Sequence, residues 1–276
     1  MSTLREKRKK ERRALRRRKT ADWTVVLILC AIAVCCGGYL IYHHWSVKQR
    51  ELEYEKLRQE ETLSAATEMV IAEPETVEST EETVIYCDPV YDFGQLHEQN
   101  EDIYAWIVVP GTQVDYPLLQ SETDNYYLDY NLDHSKGYPG CIYTNQCNRK
   151  DFSDYNTVLY GHNMKNLSMF GSLKKYKTED FYKDHQFFTI YTSECAYRYQ
   201  IFAYYDVPET DEVYTVGFAP DETFQKFIDK MKQKSYDDTG VNVTKDDHIM
   251  TLSTCSTTGK RFVVHAVRIG EHALEK

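Results

Sequence analysis

The stretch HIMTLSTCSTTGKRFVVHAVRI, residues 248–269, decides how the rest of the chain is read. It consists of two β-rich runs around the short polar connection STTG. Read as a strand, His248 to Cys255 puts Met250 and Leu252 on one face and Thr251, Ser253 and Cys255 on the other, more polar face. Arg261 opens the second run, so a hairpin returns it beside Cys255. A cysteine at a strand end is a candidate nucleophile when a neighbour can manage its proton, although cysteines in general are more often buried apolar residues. Acyl transfer also needs a group that stabilises the developing oxyanion. Arginine is scarce here: from Tyr86 onward there are only Arg149, Arg198, Arg261 and Arg268. Without its neighbours Arg261 reads as a solvated charge at a strand start.

Upstream, the run Thr157 to Tyr160 reads as a strand that gives way at Gly161 to His162, a position where sites are often built. His162 is the candidate acid/base partner, with His97, His134, His185, His248, His265 and His272 as competitors. The order is His before Cys, with both on strands, whereas papain-like peptidases place Cys first and at a helix start. Other expected strands are Gly140 to Thr144, Phe187 to Thr192, Ala196 to Asp206, Ile249 to Thr254 and Arg261 to Ile269. The run IVVPGTQVDYPLL, residues 107–119, places β-branched residues around a Pro110–Gly111 turn. Apolar spacing over Phe93 to Trp106 suggests a short helix. A later helix is capped by Asp221 and carries Phe224, Phe227, Ile228 and Met231 on one face. Many short strands with helical interruptions make the domain mainly β, a closed or nearly closed barrel.

The net charge of -10 conceals an asymmetry. Residues 1–20 hold eleven Lys/Arg against Glu6 and Glu11, a local +9, so the remainder carries -19. An acidic domain of this kind excludes nucleic acid as a partner. The run Trp23 to Tyr42, WTVVLILCAIAVCCGGYLIY, has no charged residue and the length of a membrane-spanning helix. By the positive-inside rule the basic segment stays cytoplasmic and everything beyond His43 is extracellular. A cleaved signal peptide would be shorter and end in small residues, whereas this run ends in Leu40, Ile41 and Tyr42.

Four segments are therefore expected. These are a basic cytoplasmic segment (1–22), an anchor (23–42), a stalk and linker (43–85) and an extracellular domain (86–276). Within the third, Ser46 to Leu63 reads as an exposed helix with too few apolar positions for a core, and Ser64 to Thr83 as a flexible acidic spacer. Outside the anchor lie Cys87, Cys141, Cys147, Cys195 and Cys255, an odd number that points to a free thiol. The sequence leaves open whether Cys141 pairs with Cys147. No metal site is expected, because paired CxxC motifs are missing.

TLSTC (Thr251 to Cys255) followed by Arg261, together with YGHN (Tyr160 to Asn163), resembles the sortase family. NEDIYAWIVVPGT (100–112), VDYPLLQ (114–120), DNYYL (124–128) and NTVLYGHNM (156–164) resemble its class B members, and the likeness runs from about Tyr91 to Ile269. The resemblance implies an eight-stranded β-barrel with an N-terminal helix and an extra helix before the catalytic strand, here Asp221 to Lys234. It implies a membrane-anchored cysteine transpeptidase of a Gram-positive surface that needs no cofactor and cuts a C-terminal sorting signal of secreted proteins through a thioester. The acceptor is an amine of a peptidoglycan precursor or a pilin. Residue by residue, Cys255 matches the nucleophile, His162 the acid/base and Arg261 the oxyanion stabiliser, while Tyr160 and Ser253 flank them as candidates for lining the substrate groove. The interval STTGK between Cys255 and Arg261 is shorter than in several class B members and bears on the choice of sorting signal. A non-catalytic surface binding module and a cysteine hydrolase are the competing readings.

Overall fold

The computed structural model describes residues 2–69, 91–256 and 259–274. The chain divides into two units, Met1–Arg50 and Glu51–Lys276, and helix α1 (Ser2–Met69) contributes residues to both. In the first unit the apolar side chains of Trp23, Leu27, Ile28, Ile32, Val34, Leu40 and Ile41 are all exposed. The helical stretch Trp23–Gln59 contains a window long and apolar enough to cross a membrane, none of it buried. Exposed apolar surface on this scale suits hydrocarbon rather than water.

In the second unit the start of the chain differs from the sequence expectation. Tyr54 and Leu57, in the stretch read as an exposed stalk, are buried in the main apolar cluster. Tyr54 donates its hydroxyl to Gly140 O at 3.1 Å and packs edge-on against Tyr116. Arg58 donates to Asp115 O at 2.7 Å and lies 4.6 Å from the Tyr116 ring centroid. Two aromatic or aliphatic side chains three residues apart suffice to seat one helical face, and the many charges around them concealed this in the sequence. Helix α1 runs to Met69, into the stretch read as a spacer, while residues 70–83 lie outside the described residues.

Beyond residue 90 the elements are α2 (Phe93–Gln99), β1 (Ile103–Val108), β2 (Asp115–Leu119), α3 (Tyr126–Asp129), β3 (Ile142–Thr144) and β4 (Asn156–Tyr160). They continue with a 3₁₀ segment (Phe170–Lys177), α4 (Glu179–Asp184), β5 (Phe187–Tyr191), β6 (Cys195–Pro208), α5 (Glu222–Lys234), β7 (Ile249–Cys255) and β8 (Lys260–Ala273). The strands close into a barrel in the order β1-β2-β3-β4-β7-β8-β6-β5. The β2–β3 and β4–β7 pairs are parallel and the remainder antiparallel.

The helix expected over Phe93 to Trp106 stops at Gln99. Asn100 is extended (φ -160°), its amide bonds Leu132 O, and Ile103 to Trp106 become strand because Trp106 is buried against the stacked ring of Tyr91. The later helix begins as read: Asp221 caps it by accepting from Thr223 N and Phe224 N, and its apolar stripe is buried. Cys141 and Cys147 are not joined to each other: the first is buried and the second exposed. Cys87 lies outside the described residues.

Strands β7 and β8 are covered on both faces. Met250, Leu252, Phe262, Val264 and Ala266 belong to one apolar cluster, whereas Ile249, Val263 and Val267 join Phe202, Tyr205 and the α5 stripe in a second. The face of β7 read as polar is therefore buried too at Thr251 and Ser253, whose hydroxyls are satisfied internally, and is exposed only at its end, at Cys255. Thr251 Oγ1 donates to Asn156 Oδ1 at 2.9 Å and so accepts from His265 Nδ1 at 3.0 Å, which leaves Nε2 to accept from Tyr205 OH at 3.1 Å. Burial, followed by the charge of Lys234, pushes the His265 imidazole down to about 3.

Two outcomes are expected of the second unit's core. Leu57→Ala should cost about 2–5 kcal/mol by urea denaturation, the range for truncating a buried leucine; a loss below about 0.5 kcal/mol, typical of surface sites, would contradict its seating. His265 is neutral in the folded state, so above its ordinary value of 6.5 it adds no pH dependence, and between 6.5 and about 3 only the unfolded chain gains its proton. Stability should therefore fall across that window, and the fall should be shallower in His265→Gln.

Candidate active site

The site is placed by strand register before any side chain is considered. In the parallel β4–β7 ladder Tyr160 pairs with Ser253, and Gly161 N donates to Ser253 O at 3.2 Å. His162 and Cys255 each lie two residues beyond that pair, so the two chain segments leave the ladder on neighbouring strands. The β7–β8 ladder then pairs Cys255 with Arg261. Gly161 is required by the approach of neighbours: a Cβ there would lie 2.5 Å from Ile142 Cδ1 and 2.8 Å from Phe170 Cγ.

These ends open into a cleft of about 450 Å³ whose lining includes Tyr160, His162, Ser253, Thr254, Cys255 and Arg261. All five site residues expected from sequence thus meet in one cavity. Cys255 is exposed, and its carbonyl accepts from Asn163 Nδ2 at 2.6 Å, which ties the loop carrying His162 to the strand end. His162 Nε2 lies 2.6 Å from Leu128 O in α3 and its ring packs 4.9 Å from Tyr138. A carbonyl only accepts, so Nε2 carries the hydrogen and Nδ1 is the ring nitrogen left for exchange. Arg261 lies 3.2 Å from Glu209, another residue of the lining, and Glu209 N donates to Gly259 O at 3.3 Å.

Ser253 is almost fully buried, and its hydroxyl meets Tyr214 OH at 3.2 Å. Tyr160 accepts from Asn145 Nδ2 at 3.3 Å and stacks between Tyr143 and Tyr214. Desolvation by burial pushes the Tyr143, Tyr160 and Tyr214 hydroxyls above their ordinary value, so this wall presents neutral phenols at physiological pH. Among the described residues Thr254 Oγ1 is the buried side-chain polar atom without a hydrogen-bond partner, and Thr254 lines the cleft beside Cys255. Sequence reading missed Tyr214, Glu209 and Thr254 as site residues. Thr254 lay within the quoted TLSTC, whereas Tyr214 and Glu209 sit in an acidic loop without periodicity and carried no local signal.

A thiol, an imidazole and a guanidinium gathered at the open end of a β-barrel define a cysteine acyl-transfer enzyme. Residues 107–269 match the family model described as the sortase domain. The chain is 38% identical over 167 residues to Sortase B of Listeria monocytogenes, covering 60% of this chain and 68% of that one. It is 32% identical over 248 residues to Sortase B of Staphylococcus aureus, covering 88% and 95%. Among solved structures, the Staphylococcus aureus sortase B–substrate complex superposes with a TM-score of 0.68 at 33% identity, over 80% of this chain and 97% of that one. Sortase B from Listeria monocytogenes superposes at 0.57 with 37% identity, over 64% and 99%. The chain belongs to the sortase family, in its class B branch, and is a cysteine transpeptidase.

The Asn163 contact generates its own outcome. Asn163→Ala should lower kcat/KM for peptide cleavage by up to about tenfold, the worth of one hydrogen bond. Asn163→Asp should lower it further, because a carboxylate then faces the Cys255 carbonyl. Wild-type turnover in both variants would show that the contact does not set the Cys255 backbone.

Proposed function

We propose that Cys255 is the nucleophile, His162 the acid/base and Arg261 the oxyanion stabiliser of a transpeptidase that cuts a C-terminal sorting signal of secreted proteins. The observation that carries this reading is the shared register, with His162 and Cys255 two residues beyond one ladder pair and Arg261 opposite Cys255. In the first half-reaction Cys255 Sγ bonds to the scissile carbonyl carbon and the thiol proton passes to His162 Nδ1. The carbonyl oxygen takes up negative charge against Arg261. As the C–N bond breaks, His162 returns the proton to the leaving amine, and a thioester remains on Cys255. An incoming amine then bonds to that carbon and gives up a proton to His162 Nδ1, the C–S bond breaks, and His162 returns that proton to the sulfur to restore the thiol. Tyr160 and Ser253 line the groove beside the reacting carbonyl, and Thr254 Oγ1 is free to bond a substrate group there.

The acceptor amine belongs to a peptidoglycan precursor or a pilin. Residues 1–22 remain cytoplasmic, 23–42 anchor the chain in the cell membrane, 43–85 form the connection, and 86–276 work outside the cell on membrane-tethered precursors. The basic block before an uncharged apolar run supports this orientation. The short connection after Cys255 is closed by Ser256 N, which donates to Lys260 O at 3.0 Å, with Gly259 at φ +71°, while Thr257 and Thr258 lie outside the described residues.

Intact-mass measurement of the full-length chain in detergent, incubated with a library of sorting-signal peptides, tests this directly. An acyl adduct should form, discharge into a new amide when an amine is added, and be lost in Cys255→Ala. His162→Ala and Arg261→Ala should each cost about 10²–10⁴ in turnover, and Cys147→Ala should cost nothing. Equal losses at Cys147 and Cys255 would sink the assignment, and full-rate release to water without any amine would make the chain a hydrolase.

A further inference from the structure

One 3₁₀ segment, Phe170–Lys177, touches the neighbourhood of both reacting groups. At its first residue Phe170 N donates to His162 O at 3.0 Å, and Met169 just before it bridges to Asn163. Phe170, Leu173 and Tyr176 are fully buried, so the segment is fixed in the core rather than lying on it. At its last residue Lys177 Nζ donates to both oxygens of Asp206, at 2.9 and 2.7 Å, and to Ser256 Oγ at 3.0 Å. Ser256 immediately follows Cys255. The same ammonium lies 5.0 Å from the ring centroid of Phe262, the residue after Arg261. Tyr236 OH also donates to Asp206. Burial alone would raise the Asp206 carboxyl, but the hydrogen bonds from Lys177, Ser256 and Tyr236 hold it below the usual carboxylate value, so it stays an anion facing Lys177.

We propose that Lys177 is a positioning residue that fixes the Cys255–Arg261 hairpin relative to His162. It acts through Asp206 and Ser256 at one end of the 3₁₀ segment, while the Phe170–His162 bond holds the other. The proposal rests on the roles given above to Cys255, His162 and Arg261. Magnitudes separate positioning from mere stabilisation. The Lys177–Asp206 pair is part-exposed, with side chains 35% and 21% accessible, and pairs of this kind add little to stability. Displacement of a reacting group by ~1 Å, by contrast, costs about 10²-fold in rate. Removing the ammonium should therefore be read in turnover far more than in melting temperature.

The test uses the full-length chain in detergent, with the best peptide from the library above and triglycine as acceptor. Lys177→Met and Ser256→Ala should each lower kcat by about tenfold with KM within about twofold, as expected for misplacement rather than lost binding. The double variant should lose no more than the worse single, because the two groups act as one unit. Lys177→Arg, which keeps a donor for both partners, should recover most of the loss. Ser256→Ala removes a single oxygen and keeps the test open even where Lys177→Met folds poorly. Wild-type kcat in Ser256→Ala, losses that multiply in the double variant, or a loss confined to KM would each overturn the proposal. Cleavage surviving in Cys255→Ala would instead overturn the underlying site assignment, whatever the Lys177 variants do.

Discussion

The parallel β4–β7 ladder is the constraint on which the site depends. Side chains alternate faces along a strand, so sliding β7 by one residue would turn Cys255 to the opposite face from His162 and carry Arg261 with it. The observed register, Tyr160 opposite Ser253, sets two residues far apart in the chain at equal distances beyond one pair. Gly161 lets β4 run past Ile142 and Phe170 without a clash at that point. A parallel pair cannot be joined by a tight turn, and the long crossover here is filled by the 3₁₀ segment, β5, β6 and α5. Much of the domain is thus the connection that brings the two strand ends together.

Register of this kind is held from within. Strands β7 and β8 bury apolar side chains on both faces, which is why RFVVHAV reads as a nearly continuous apolar run rather than an alternating one. His265 interrupts that run inside a satisfied network with Thr251, Asn156 and Tyr205, which spans β4, β6, β7 and β8. A polar network in a core is favourable only when every member finds its partner, so it penalises alternative pairings that an apolar core would tolerate. Asn156 also donates to Thr215 O at 2.9 Å. The network thereby reaches the loop that lays Tyr214 against Ser253, and the core that fixes the strands also fixes one wall of the cleft.

At the open end the character changes within a few residues. Cys255, the proposed nucleophile, is exposed directly after the buried Thr254, so it is reachable at the end of a strand that is buried up to that point. The hairpin beyond it is held by Asn163 on the Cys255 carbonyl, Glu209 on Arg261 and Lys177 on Ser256. Each contact is modest in energy; in the proposed reading, together they limit how far a thiol, an imidazole and a guanidinium can drift apart. Acyl transfer draws much of its rate from such fixed geometry.

The sequence by itself determined most of the strands, the α5 stripe with its Asp221 cap, the apolar segment near the N-terminus, and the meeting of Cys255 with Arg261. Those features are local: a hairpin with a short connection and a helix with one apolar face follow from near neighbours in the chain. Its place at a strand end made His162 one candidate among several histidines, and the sortase resemblance supplied its link to Cys255, which spacing along the chain did not. Only the tertiary structure decided the rest. It seated Tyr54 and Leu57 in the core, ended α2 at Gln99, turned the polar face of β7 inward onto His265, and brought Tyr214, Glu209 and Lys177 to the hairpin. The physical reason is that these contacts join residues from separate elements, and their energy comes from burial and hydrogen-bond partners that exist only once the barrel has closed.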